Sequence, residues 1–186
     1  LIGFWIAMII LPSGWDLPVY ILPALRGQTV DYPYPPWSFW FLQPLLWLPF
    51  KANYVVLVGV IIAALVVARR LLRPSAWLLF LSFPFVWVLW YGQFETFVSV
   101  GAVVAWVALQ RKQPVWAGIG MALMSVKPQI GFPAALAVLW WLPTWKQRLI
   151  AAAIPGGLIM ASLAAFGPGW FVGWLGKLPF WLDYYT

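Results

Sequence analysis

The chain alternates long apolar runs with short polar clusters. A transmembrane helix needs about 20 mostly apolar residues to cross a hydrocarbon core of about 30 Å, and several of these runs are shorter than that. The pattern predicts an all-α, polytopic transmembrane bundle of about six or seven hydrophobic helices, including short or re-entrant ones. The runs are Leu1–Leu11, Trp37–Phe50, Ala52–Ala68, Trp77–Tyr91, Phe94–Leu109, Trp116–Val126, Ile130–Trp145 and Leu149–Phe166, followed by a tail rich in Gly, Trp and Pro.

The longest polar stretch is the proline-rich segment 12–36, which separates the first two apolar runs. The run after it contains two internal prolines, so we predict that it lies in the outer leaflet or dips into it. Residues 12–50 are therefore expected to form an outer loop with an interfacial helix, within a single transmembrane domain of residues 1–186. The first run lacks an initiator Met and a basic flank, and it is expected to be the end of a span whose start is missing.

Composition excludes a water-soluble domain, because 65% of the residues are hydrophobic and only 8% are charged, against about 25% in soluble proteins. The 16 Trp and 7 Tyr suit the headgroup level of a bilayer. The absence of Cys and His excludes disulfides, thiolate chemistry and the usual haem or chlorophyll ligands, and leaves any other cofactor unknown. The basic residues form no groove-lining patch, so no nucleic-acid partner is expected, and the expected surroundings are membrane lipids.

Three basic clusters indicate the orientation, because short cytoplasmic loops are enriched in Lys and Arg. Placing the clusters in the cytoplasm puts all four carboxylates on the outer side, together with four of the eleven bases. The expected location is the bacterial plasma membrane, with the chain crossing it several times. If Trp37–Phe50 spans the membrane instead, the orientation of everything after it is reversed. The clusters are Arg69, Arg70 and Arg73; Arg111 and Lys112; and Lys146 and Arg148.

Two charged residues on the outer side lie between apolar runs, where ionisable groups usually face a cavity or a partner. Glu95 falls in the first turn of a predicted helix, where the helix dipole favours a carboxylate. Lys127 precedes Pro128, so irregular backbone is expected there, and at membrane depth such backbone mainly lines cavities. Each residue also has a structural interpretation: Glu95 caps a helix, and the Lys127 side chain extends to lipid phosphates.

Three ordered segments resemble a known family. The first segment runs from Asp16 to Pro36; it contains Tyr20, Arg26-Gly27 and Tyr32-Pro-Tyr34-Pro-Pro, and Pro44 continues its pattern. The second is Tyr91-Gly-Gln93-Phe-Glu95. The third runs from Ala117-Gly118 to Lys127-Pro128. Together they resemble the amino-terminal module of polytopic GT-C glycosyltransferases, and they are most similar to glycosyltransferase family 87, the polyprenyl-phosphate-mannose-dependent mannosyltransferases. The resemblance covers about residues 12–145. Because members are typically more than twice this long, the chain is expected to be either a fragment or a reduced relative whose activity is open.

The resemblance implies transfer of a hexose, mannose in the family, from a polyprenyl-phosphate donor to a lipid or glycan acceptor on the outer face. It implies that Asp16 is the general base, with a turn or helix cap as its structural alternative. The implied substrate-binding residues are Arg26, Tyr34, Gln93, Glu95 and Lys127, of which the two cations would meet the donor phosphate. Glu95 stands where the family often has Asn, and no Asp-x-Asp motif indicates a metal site.

Two other classes of function remain open on the residues alone. A non-catalytic accessory subunit would use its helices only for packing, with Gly156-Gly157 and Gly169-x-x-x-Gly173 as close helix contacts. A transporter or lipid flippase would need a polar path towards the inner side. The apolar runs contain almost no polar residues to line such a path, which counts against transport.

Overall fold

The computed structural model describes residues 34–72 and 95–184, and within these residues all regular structure is helical. A short helix, α1 (Phe39–Leu42), lies between two 3₁₀ turns at Pro36–Ser38 and Gln43–Trp47. The longer helices are α2 (Phe50–Leu72), α3 (Glu95–Gln110), α4 (Pro114–Met124), α5 (Pro128–Trp141), α6 (Trp145–Phe166) and α7 (Pro168–Tyr184).

Polar residues and prolines set the ends of the helices from α3 to α6. Lys112 has a left-handed backbone conformation (φ 53°), which reverses the chain between α3 and α4. Pro114 and Pro128 open α4 and α5, at a position where the missing N–H would have no helical partner. Thr144 caps α6, since its hydroxyl oxygen accepts a hydrogen bond from the backbone N–H of Gln147 at 3.3 Å.

These helices confirm the all-α prediction within the described residues. The predicted runs between residues 52 and 68 and between 94 and 166 are helical, with ends shifted by a few residues. The run from Trp37 to Phe50 is divided into short helical turns by its internal prolines. The Gly/Trp/Pro-rich tail forms α7, which the apolar pattern did not identify as a helix. The predicted runs 1–11 and 77–91 lie outside the described residues.

The tightest packing is centred on α4, the shortest of the helices from α2 to α7. Six of its residues are buried, and they face α3 on one side and α6 on the other. The facing residues of α3 are small: Ala105 and Ala108 are each 1% exposed, and Gly101 is also buried. Small residues let helix backbones approach closely, which is how helices associate where water supplies no hydrophobic driving force.

Four glycines lie at these close approaches, and they are not the glycines predicted for that role. Within the described residues a Cβ atom at Gly156, Gly157, Gly169 or Gly173 would have no heavy atom within 4 Å. These glycines therefore make no close helix contact inside the chain, and contacts with other helices of a larger assembly stay a prediction. The close contacts are made by Gly101, Gly118, Gly120 and Gly131 instead, where a Cβ would meet backbone atoms of a neighbouring segment at 2.6 Å or less.

Arg148 has a structural role in addition to its contribution to the charge pattern. Its Nε donates a hydrogen bond to the carbonyl oxygen of Leu142 at 2.9 Å, and a terminal guanidinium nitrogen donates to that of Trp140 at 3.2 Å. These carbonyls end α5 and have no helical partners of their own. A cation there also interacts favourably with the negative end of the helix dipole.

The helix pairs define two ends of the molecule. The α3–α4 and α5–α6 turns form one end, the basic end, which carries Arg111, Lys112, Lys146 and Arg148. Trp106 near the end of α3 and Trp141 at the end of α5 confirm this arrangement, with ring centroids 6.2 Å apart. The α4–α5 turn and the start of α3 form the opposite end, the Lys127 end. The basic end therefore has several cations and no carboxylate among the described turns.

The surface of the molecule is apolar. Leu136 and Trp140 of α5 are 67% and 78% exposed, and Met160 of α6 is 65% exposed. One helix in the described residues, α6, is long and apolar enough to cross a membrane, with 11% of its most apolar window buried within the protein. An exposed apolar surface of this extent is typical of contact with lipid.

Candidate functional site

A short segment, Tyr34–Trp47, covers the Lys127 end of the molecule. Its anchor is Trp37, which is 2% exposed and donates a hydrogen bond from Nε1 to the carbonyl oxygen of Ser125 at 3.1 Å. The neighbouring Ser38 hydroxyl donates to the carbonyl oxygen of Pro35 at 2.7 Å, which closes the turn after the paired prolines. A buried indole N–H usually requires such an acceptor, so this bond fixes the segment against the end of α4.

Two further side chains connect the segment to α6 and α3. Trp40 donates from Nε1 to the hydroxyl oxygen of Ser162 at 2.7 Å, and that hydroxyl donates to the carbonyl oxygen of Leu158 at 2.9 Å. The Phe41 ring lies 6.4 Å from that of Phe97, in the first turn of α3. The segment therefore contacts three helices at one end of the molecule.

Aromatic rings of α7 complete this end. Trp174 meets Trp37 edge to face, with ring centroids 5.5 Å apart, and Phe171 lies 6.1 Å from the same ring. Trp170 packs edge to face on Phe166 at 4.4 Å. Edge-to-face pairs add about 0.5–1.5 kcal/mol to the burial of apolar area, so the helix formed by the tail holds the covering segment in place.

Lys127 occupies the sharp turn between α4 and α5. It is the N-cap residue of α5, and its carbonyl oxygen accepts hydrogen bonds from the N–H groups of Ile130 and Gly131 at 3.2 and 2.8 Å. Val126 before it is completely buried, whereas Lys127 is only half-buried. The turn is compact because a Cβ at Gly131 would overlap the carbonyl oxygen of Met124. Irregular backbone was predicted at Lys127, and the break between two helices confirms it.

Three of the residues predicted to form the site lie at this same end. Tyr34 is buried at the start of the covering segment, Glu95 begins α3 two residues before Phe97, and Lys127 lies two residues after the acceptor of the Trp37 bond. Whether their side chains share one cavity stays a prediction. The other predicted residues, Asp16, Arg26 and Gln93, lie outside the described residues, as does Asp31.

Sequence reasoning missed the residues that hold this end together. Trp37 follows Tyr34-Pro-Pro, and most Trp residues were interpreted as interfacial anchors of a membrane protein, so no pattern distinguished Trp37 as buried. Ser125 and Ser162 are polar residues in apolar surroundings, which is a usable signal, since a buried hydroxyl normally requires a partner. In residues 34–72 and 95–184 no group of three metal-binding side chains comes together.

Within the described residues the protein is all-helical, and one of its helices is long and apolar enough to cross a membrane. Comparison with family models then gives the activity: the model of glycosyltransferase family 87 matches residues 32–184. The chain belongs to glycosyltransferase family 87, which confirms the resemblance found in its motifs, and it is a glycosyltransferase by family. No curated protein and no solved structure matches it. The matched range includes Tyr34, Gln93, Glu95 and Lys127 and begins after Asp16 and Arg26.

Proposed function

We propose that the protein transfers a hexose, mannose by resemblance, from a polyprenyl-phosphate donor to a hydroxyl group of a lipid or glycan acceptor. The reaction takes place at the Lys127 end, on the outer face of the bacterial plasma membrane. The observation that supports this location is the buried hydrogen bond from Trp37 to the Ser125 carbonyl. It joins the family's Tyr-Pro-Pro segment to its Lys-Pro turn, two motifs far apart in the sequence.

The donor's phosphate requires positive charge, and Lys127 supplies it in this proposal. Its ammonium group is a compact point charge on a flexible stem, suited to a phosphate that must bind and leave. Arg26 is proposed as the second phosphate ligand, because its planar guanidinium binds a phosphate through two parallel hydrogen bonds. As the sugar departs, negative charge grows on the bridging phosphate oxygen. Cations already in place stabilise that charge without reorganisation.

The acceptor hydroxyl requires a base, and Asp16 is proposed for that role. Its carboxylate takes the proton while the acceptor oxygen forms a bond to the anomeric carbon. The bond from that carbon to the phosphate oxygen breaks, and the polyprenyl phosphate leaves. A carboxylate beside a low-dielectric surface has its pKa raised towards the value that suits this task. Tyr34, Gln93 and Glu95 are proposed to bind the substrates, with Glu95 in the position where the family often has Asn.

Three variants test these roles in the intact protein. Asp16→Asn should lower turnover by about 10²–10⁴, the usual contribution of a positioned general base. Lys127→Ala should mainly raise the KM for the donor, because it removes a phosphate ligand. Lys146→Ala removes an equal charge from an exposed position at the basic end, and it should change neither quantity.

The assay is hexose transfer from a polyprenyl-phosphate donor in proteoliposomes, with the protein level of each variant measured. Near-normal turnover of Asp16→Asn would show that Asp16 is not the general base, and Asp31 would then be tested for that role. A Lys127→Ala variant that behaves like Lys146→Ala would show that the donor phosphate binds elsewhere. If the intact protein transfers no sugar from any lipid-linked donor, the accessory-subunit interpretation replaces this proposal.

A further inference from the structure

An open groove of about 580 Å³ lies between α2 and α3 and reaches the α3–α4 turn at the basic end. Four residues of α2 between Val60 and Val67 and five residues of α3 between Val100 and Ala108 form its walls, and all nine are Val or Ala. At the α3–α4 turn the character of the lining changes, because Arg111, Gln113 and Trp116 form the mouth. The groove is thus apolar along its length and polar at one end.

The composition of the walls explains why the groove stays open. Valine in a helix has one strongly preferred χ1 rotamer, and alanine has none to change. Such short, stiff side chains cannot extend across the space between two helices, as Leu or Phe would. The volume lies within the range of about 300–1,000 Å³ that is typical of sites for small molecules.

The length of the groove matches one leaflet of a bilayer. Val100 and Arg111 are eleven residues apart in the sequence, which corresponds to about 16 Å along a helix axis. Half of a hydrocarbon core of about 30 Å is about 15 Å. A groove of this length, open at its side and ending at a cation, has the dimensions of one lipid chain with its phosphate.

The charge at the mouth is complementary to such a phosphate. Arg111 and Lys112 are exposed, and α2, α4 and the α3–α4 turn contain no carboxylate, while the one acid of α3, Glu95, lies at its other end. Trp116 is 54% exposed, as expected for an indole at headgroup level. An anionic headgroup would meet cations here, and no carboxylate of α2, α4 or the α3–α4 turn would oppose it.

We propose that this groove binds one acyl chain of an anionic phospholipid from the leaflet on the basic side, with the lipid phosphate on Arg111. The amide of Gln113 and the Trp116 ring lie beside the headgroup. Because the acyl chain moves from one apolar environment to another, it contributes little to the selectivity of binding. The selectivity comes from the net negative charge of the headgroup, which meets the Arg111 guanidinium; in a zwitterionic lipid the choline cation cancels that charge. This lipid site requires that the protein lies in a bilayer. It does not depend on the proposed sugar-donor site, which lies at the opposite end of the molecule.

The test measures bound lipid directly, so that failure of the enzymatic proposal does not affect it. The full chain in detergent is titrated with phosphatidylglycerol or phosphatidylcholine, and native mass spectrometry records the number and affinity of bound lipids. Parent protein should bind one phosphatidylglycerol more tightly than phosphatidylcholine. Arg111→Gln should weaken phosphatidylglycerol binding by about five- to tenfold, in line with the contribution of one cation near a lipid surface. Lys146→Gln is the matched control and should have no effect.

A second pair of variants tests the groove itself. Val104→Phe places a ring in the groove and should abolish binding, whereas Val66→Phe adds the same volume to an exposed residue of α2 outside the lining and should not. Equal lipid binding by Val104→Phe and parent would overturn the proposal, and so would an equal effect of Arg111→Gln and Lys146→Gln. If the parent protein is a dimer and Val104→Phe dissociates it, the groove binds a second copy of the chain, and the proposal of a lipid site is also overturned.

Discussion

Replacing Gly120 with Ala adds one methyl group at the point where α3 and α4 are closest. The new Cβ would lie 2.6 Å from the carbonyl oxygen of Gly101, 2.7 Å from the backbone nitrogen of Ala105 and 2.8 Å from its Cβ, whereas ordinary contacts begin at 3.4 Å. Two of these atoms are backbone and cannot rotate away. The two helices must therefore separate by roughly 0.8 Å or shift sideways, and a gap of 0.5–1 Å already loses about a quarter to a half of a dispersion contact.

The expected change in stability follows from two opposing terms. Overpacking of a tight interface typically costs about 1–3 kcal/mol, while Ala in place of Gly in a helix interior contributes about 0.5–1 kcal/mol in the other direction. We therefore expect the free energy of unfolding to fall by about 1–2 kcal/mol. Gly157→Ala in α6 is the matched control, because a Cβ there has no heavy atom within 4 Å. It should be neutral or slightly stabilising.

The measurement is reversible unfolding in mixed detergent micelles, followed by the fluorescence of the 16 Trp residues. Both variants should unfold with the same cooperativity as the parent. The midpoint of Gly120→Ala should fall, and that of Gly157→Ala should stay unchanged or rise slightly. If Gly120→Ala proves as stable as Gly157→Ala, the contact between α3 and α4 is looser than the distances indicate. The assignment of α4 as the centre of the packing would then be wrong.

Two further predictions concern the covering segment and the orientation. Trp37→Phe keeps an aromatic ring but leaves the buried Ser125 carbonyl without its hydrogen-bond donor, so the free energy of unfolding should fall by about 1–3 kcal/mol. The KM for the sugar donor should also rise, and an unchanged KM would show that this hydrogen bond does not position the Lys127 turn for donor binding. Single cysteines introduced at Gln28 and Gln113 should react with a membrane-impermeant maleimide from outside and from the cytoplasm, respectively. The reverse pattern would place the Lys127 end in the cytoplasm, and the chain has no native cysteine to confuse the result.

The helices were largely predictable because two strong local signals coincide. Apolar runs end where charged residues or prolines occur, and both effects act within a few residues of the position that they determine. The turn at Lys127-Pro128 is an example, since its sequence alone indicated a break between two helices. The helix α7 was missed because its glycines and tryptophans disfavour a helix locally. Its rings pack on Trp37 and Phe166, and such contacts can outweigh local preference.

The contacts that assemble the candidate site were much less predictable. A close helix contact depends on which face of each helix meets the other, and this is a property of the whole arrangement. Gly120 and Gly157 are both helical glycines in apolar runs, yet only the first touches a neighbouring backbone. The hydrogen bond of Trp37 likewise uses the backbone carbonyl of Ser125, and every residue has a backbone carbonyl. No sequence pattern could have named that acceptor.

The lengths of the helices have a consequence for the membrane around them. α6 has 22 residues, or about 33 Å, and it matches a hydrocarbon core of about 30 Å. α5 has 14 residues and several exposed apolar side chains, yet it reaches only about 21 Å. α5 is therefore too short to cross such a core at full thickness, and a bilayer that α5 crossed beside α6 would have to become thinner next to α5. Local thinning of the bilayer at the Lys127 end would bring lipid headgroups and water closer to the Lys127 turn. A lipid-linked phosphate would then have a shorter path to that turn.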